Sequence, residues 1–148
     1  MFDFVFDWRD ELNLGIKEID EQHKRLFKIG RDMEQLVRFN CVNVTDKQLL
    51  DIVCELRDFV VYHFYEEERF MELCGFEGLE EHRKKHKEFT EYVSKIDCPK
   101  LKENPGVELK KIKDTLQDWI FKHMLVEDTQ MVKKMTKRYE DMKTLFEE

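Results

Sequence analysis

Three of the chain's five histidines and one of its acidic residues stand in pairs at a spacing suited to holding metal. His63 and Glu67 are four residues apart in H-F-Y-E-E, and His82 and His86 are four apart in H-R-K-K-H. On a helix, residues four apart lie one above the other on the same face, so each pair aims two metal-type donors at one place. Between the pairs runs L-C-G-F-E-G, where Gly75 and Gly78 suit a turn between antiparallel helices. The chain is therefore expected to fold back and bring four donors together. His23, His123 and Asp128 must then arrive from other elements.

Those elements can be read from apolar periodicity. The spacing predicts helices at about 17–39, 46–74, 79–97 and 107–129, with a further C-terminal helix at about 130–146. Ile16, Ile19, Leu26, Phe27 and Met33 form the stripe of the first helix, and His23 interrupts it. Asp20, on nearly the same face, is either an outer partner of His23 or a first-turn acid favoured by the helix dipole. Thr45-Asp46-Lys47-Gln48 reads as a capping box opening the second helix. In that helix Leu56, Phe59, His63, Glu67 and Phe70 share one face, whereas Glu66 and Glu68 fall off it and read as solvated charges. A buried, unpaired carboxylate is costly, so Glu67 needs a proton, a cation or a metal.

In the third helix His82 and His86 occupy positions where Leu79, Phe89 and Val93 predict apolar residues. The segment from Cys98 to Gly106 holds both prolines and reads as a loop. Asp128 follows His123 by five residues, about 140° around an ideal α-helix, so either Asp128 reaches in from the flank or the helix is locally distorted. From Phe2 to Trp8 aromatic residues alternate with polar or smaller ones, with no second strand to pair with, and the segment is expected to form an extended arm across the helices. The resulting fold is an all-α, up-down-up-down four-helix bundle with an N-terminal extended arm and a short C-terminal helix. One domain of 148 residues suffices for it.

In such a bundle, at about 1.5 Å of rise per residue, the seven donors reach one level near one end. Seven exceed one metal's usual need, and a dinuclear centre follows, with carboxylates bridging through their two oxygens. Three histidines on one metal and two on the other, with two bridging carboxylates and a bridging oxygen, give six and five ligands and one open position.

Composition narrows the functional classes. A net charge of −7 argues against a nucleic-acid surface. No apolar run approaches the roughly 20 residues that span a bilayer. The N-terminal M-F-D-F-V-F-D-W carries acids where a secretory signal carries positive charge, so a cytoplasmic protein without a membrane partner is expected. Cys41, Cys54, Cys74 and Cys98 form no C-x-x-C pair and read as thiols rather than ligands.

The motifs G-I-K-E-I-D-E-Q-H (15–23), H-F-Y-E-E (63–67), H-R-K-K-H (82–86) and W-I-F-K-H-M-L-V-E-D (119–128), in this order, resemble hemerythrin, in its single-domain bacterial form. The resemblance implies two iron ions with a bridging oxo or hydroxo group. His82, His86 and His123 would hold one iron, His23 and His63 the other, and Glu67 and Asp128 would bridge them. It further implies that O₂ binds at the iron with the open position, and that H-x-x-x-x-D is the family's own spacing for Asp128. Ile120 matches a pocket position where Leu is more usual. With Phe27, Phe59 and Trp119 it is expected to wall an apolar O₂ pocket.

An apolar wall without an added acid or base favours reversible binding over proton-coupled chemistry. The leading expectation is thus a non-haem di-iron O₂-binding protein for carriage, storage or sensing, acting as a monomer rather than as an enzyme. The alternatives are a di-iron enzyme that reduces O₂, peroxide or nitric oxide with an electron donor, and a structural zinc bundle.

Overall fold

The computed structural model describes residues 5–133. Five helices, α1 (Lys17–Arg38), α2 (Asp46–Leu73), α3 (Leu79–Ser94), α4 (Cys98–Glu103) and α5 (Pro105–Trp119), pack into an all-helical bundle. The described residues contain no strand. From α5 the chain runs on as a π-helix, Ile120–Asp128, and returns to α-helix over 129–133. The expected C-terminal helix lies beyond residue 133 for most of its length, outside the described residues. The same holds for Phe2 and Phe4 of the arm.

Local chemistry sets the boundaries. At the start of α2 the Gln48 N–H donates to Thr45 Oγ1, and the Thr45 N–H donates to Gln48 Oε1, so the capping box is complete. At its end Gly75 takes φ +66°, the Gly75 N–H donates to the Glu72 carbonyl and the Phe76 N–H to the Met71 carbonyl. This 5→2 and 6→1 pair is a Schellman turn, and it folds α3 back against α2.

The segment expected to be a loop is helical instead. Asp97 caps α4 by accepting from the Lys100 N–H, and Pro99 and Pro105 both sit in first turns, of α4 and α5. Proline lacks an N–H, but a first turn has no intrahelical use for one. Here the prolines start helices rather than interrupt them.

The N-terminal arm is clasped to α1 at two points. Buried Glu34 accepts the N–H groups of Val5 and Phe6, at 2.9 and 2.6 Å, and Asp20 accepts those of Leu14 and Gly15. Asp20 thus sits in the first turn of α1, where the helix dipole favours an acid, and it also closes the turn that leads into α1. Phe6 and Trp8 meet Phe27 edge-on, at ring separations of 6.0 and 5.1 Å.

The core has two parts. The larger contains Leu26, Phe27, Leu56, Phe59, Phe64, Phe89, Leu116 and Ile120; the smaller contains Ile16, Ile19, Phe70, Met71 and Met131. Along α1 and α2 the histidines fall between residues of the two parts. No helix of the described residues is long and apolar enough to cross a membrane.

Phe6 approaches α1 closely at Gly30, where a Cβ would collide with the Phe6 ring. Gly30→Ala therefore opposes two effects. Helix propensity favours alanine by about 1 kcal/mol, whereas forced repacking of a full core costs about 1–3 kcal/mol. The collision is expected to win, lowering the thermal midpoint and speeding amide exchange at Phe6. A more stable variant would show that the arm contributes little to this packing.

Candidate metal centre

Between the two apolar clusters lies a layer of polar side chains cut off from solvent. Glu67 and Asp128 are each 0% exposed, and His23, His63, His82, His86 and His123 are all buried. Helix α1 supplies His23, α2 supplies His63 and Glu67, α3 supplies His82 and His86, and the π-helix supplies His123 and Asp128.

The π-helix accounts for the five-residue spacing of the last pair. Its i→i+5 hydrogen bonding widens each turn by about one residue, so residues five apart gain the stacked relation that residues four apart have in an α-helix. Both side chains can then point inward from one element. The second of the two routes open from the sequence, local distortion, is the one the chain takes.

The contacts divide by carboxylate oxygen. Glu67 Oε1 lies 3.2 Å from His82 Nε2, 3.2 Å from His86 Nε2 and 3.8 Å from His123 Nε2. Glu67 Oε2 instead lies 3.3 Å from His63 Nε2 and 3.7 Å from His23 Nε2. Asp128 repeats the division. Its Oδ1 is 2.7 Å from His82 Nε2 and 3.3 Å from His123 Nε2, while its Oδ2 is 3.4 Å from His23 Nε2. Two donor groups result, Glu67 with His82, His86 and His123, and Glu67 with His23, His63 and Asp128, each with donor atoms within 4.8 Å of one another.

This cage fits a cation better than it fits itself. His23 Nε2, Glu67 Oε2 and Asp128 Oδ2 are buried without a hydrogen-bond partner, and all three face the second group. His86 Nε2 and His123 Nε2 lie 2.9 Å apart. That is about the spacing of adjacent ligands on a metal with bonds of about 2.1 Å. Orphaned donor atoms gathered in a dry layer are costly unless something charged joins them.

Behind the inner atoms stands a set of outer partners. His63 Nδ1 donates to Gln22 Oε1 at 2.7 Å, and His86 Nδ1 donates to Glu68 Oε2 at 2.8 Å. His123 Nδ1 lies 3.4 Å from Glu127 Oε2. A ring that donates from Nδ1 keeps its Nε2 lone pair turned inward, as a metal ligand requires. Glu68 is thus not the solvated charge expected from its place off the stripe. Gln22 and Glu127 were inconspicuous for a similar reason: both lie next to a ligand-type residue, on a helix flank where polar residues are ordinary.

Of the residues expected to wall an O₂ pocket, two stack on histidines of this layer. Phe59 stacks on His63, with ring centres 5.4 Å apart and planes 9° from parallel. Trp119 stacks on His123 at 4.4 Å, while Phe27 and Ile120 are buried in the larger core cluster. Phe64, not singled out in the sequence, stacks on His86 at 3.9 Å.

A dry cage with five imidazoles, two carboxylates and an inward lone pair on each suitably held ring is a metal site of an all-helical protein. The family model described as the hemerythrin HHE cation binding domain matches residues 14–135, and the chain belongs to the hemerythrin family. Bacteriohemerythrin of Clostridium acetobutylicum is 27% identical over 128 residues, covering 86% of this chain and 99% of that protein. Bacteriohemerythrin of Pseudomonas paraeruginosa is 33% identical over 122 residues, covering 82% and 75%. That of Campylobacter jejuni is 30% identical over 115 residues, covering 78% and 84%. Membership of the family implies non-haem iron in this site.

Without metal the cage draws protons. Burial pulls His23 down, but Asp128 and Glu67 outweigh it and push the ring up to about 9; the same two carboxylates push His82 up to about 10 against its own burial. Burial lowers His63, only partly offset by Glu67. Glu67 itself is held well below the usual carboxylate range, the surrounding histidines overcoming its burial. At neutral pH the metal-free protein therefore carries protons on His23 and His82, and metal accepts only neutral imidazole. Loading at pH 7.5 is expected to release protons from these rings, and affinity should weaken as pH falls. Calorimetry in buffers of different ionisation enthalpy measures the release. A heat independent of the buffer would contradict this protonation scheme.

Proposed function

We propose that the chain is a non-haem di-iron protein that binds O₂ reversibly. His82, His86 and His123 would hold one iron and His23 and His63 the other, with Glu67 and Asp128 shared between them beside an oxo or hydroxo group. One observation carries the reading: each buried carboxylate directs one oxygen to the three-histidine group and the other to the two-histidine group. A carboxylate serving one ion has no need of that division.

Iron held there would supply redox chemistry, and two histidines on one ion against three on the other would leave room for a small ligand. The protein's own residues do the rest. Phe59, stacked on His63, keeps water from that side, with Phe27 and Ile120 assigned to the same apolar wall, and excluding water suppresses proton leakage from a bound ligand. The chain acts as one domain, as a cytoplasmic monomer, and its partner is O₂ rather than nucleic acid or membrane.

A second reading, a di-iron enzyme that reduces O₂, peroxide or nitric oxide, is favoured by one feature. Trp119 stacks on His123 and also lines an open groove of about 520 Å³ between α3 and the last helix, giving an electron donor an approach to the site.

One experiment separates the readings. Anaerobic ferrous protein exposed to air is expected to hold two irons per chain, to develop a visible charge-transfer band, and to lose that band when O₂ is removed. Irreversible oxidation in a single exposure would contradict reversible binding, and sustained O₂ consumption with a reductant would favour the enzyme.

A further inference from the structure

The two halves of the cage differ in what supports them. On the three-histidine side the outer partners are carboxylates. Glu68 gives Oε2 to His86 Nδ1 at 2.8 Å and Oε1 to Arg83 Nε at 3.1 Å. Glu127 sets Oε2 3.4 Å from His123 Nδ1 and gives Oε1 to Lys85 Nζ at 2.7 Å. Each of these carboxylates thus faces a ligand-type histidine with one oxygen and a surface cation with the other. On the two-histidine side the outer partner is an uncharged amide, Gln22 Oε1, 2.7 Å from His63 Nδ1.

The difference has chemical consequences. An imidazole whose Nδ1–H faces a carboxylate carries more electron density at Nε2, and so binds a metal cation more strongly, than one whose partner is neutral. The negative charge of Glu68 and Glu127 also lowers the electrostatic cost of a highly charged ion nearby. Arg83 and Lys85 hold the two carboxylates in place without contacting the histidines. Both carboxylates are about three-quarters buried, at 23% and 25% side-chain exposure, so water screens them only in part.

We propose that Glu68 and Glu127 are positioning residues that make the three-histidine half the tight metal position, and that Gln22 leaves the two-histidine half the labile one, from which metal departs first. The proposal rests on the two-iron reading above and adds an order to it. Glu68, whose hydrogen bond is complete, contributes more than Glu127, whose contact with His123 leaves Nδ1 short of a hydrogen bond.

The test is anaerobic release of iron from the loaded protein to a chelator, with the reduction potential measured on the same samples. Wild type is expected to release its irons in two phases, one iron in each. Glu68→Gln and Glu127→Gln keep the shape and an acceptor oxygen but remove the charge. Glu68→Gln should speed the slow phase about 10-fold or more, Glu127→Gln by a smaller factor, and both should raise the potential. Gln22→Glu should do the reverse, slowing the fast phase and lowering the potential, an inversion that a merely structural role for these residues does not produce. Two-phase release indifferent to all three substitutions, or a Gln22→Glu protein that loses iron faster, overturns the proposal alone. Wild-type protein that yields a single iron per chain overturns the two-iron reading, and the proposal with it.

Discussion

Two carboxylates with no exposure to water, Glu67 and Asp128, are the constraint on which the rest of the structure turns. Removing a carboxylate from water costs several kcal/mol even after relaxation. The five histidines that surround the pair return part of that cost through hydrogen bonds and charge, yet Glu67 Oε2 and Asp128 Oδ2 stay without partners. A cation in the layer satisfies what the protein's own atoms leave open. The fold and the metal are therefore coupled: the layer that a metal completes is the layer that separates the two apolar clusters.

Holding such a layer in register places demands on every helix. α2 meets them by regular periodicity, since Phe59, His63, Glu67 and Phe70 follow one face down into the smaller cluster. The last helix meets them by changing its pitch. Its π-helical stretch begins at Ile120 and ends at Asp128, enclosing the two residues that must both face inward. Unusual helical geometry of this kind tends to accompany functional sites because the ordinary pitch is lower in energy. The arm adds a third device, with Glu34 and Asp20 using carboxylates to tie extended backbone to α1.

Much of this was legible in the sequence where a residue's type contradicted its place. A histidine in an apolar stripe, or a glutamate four residues after one, stands out because burial without a partner is costly. Gly75 and the Thr45–Gln48 box were legible because turn and cap chemistry is local. What the sequence concealed was of two kinds. Glu68, Glu127, Gln22 and Glu34 are polar residues on helix flanks, where a residue bound to the interior and one facing water look alike. α4 was concealed because proline breaks a helix interior but begins a helix equally well, and only the Asp97 cap distinguishes the two. The five-residue gap from His123 to Asp128 fell between these kinds. It signalled a distortion without showing its form.

The outer residues also bear on how a symmetric-looking cage becomes asymmetric. Each buried carboxylate turns one oxygen toward each group of histidines, but the support behind the histidines is charged on one side and neutral on the other. The central claim, however, is the bridging itself. An anomalous-difference map recorded at the iron edge on crystals of the iron-loaded protein tests it most directly. The account predicts two separate peaks, one among His82, His86 and His123 and one between His23 and His63, with an oxygen of Glu67 and of Asp128 on each. A single peak, or two peaks with either carboxylate bound to one ion alone, would contradict it.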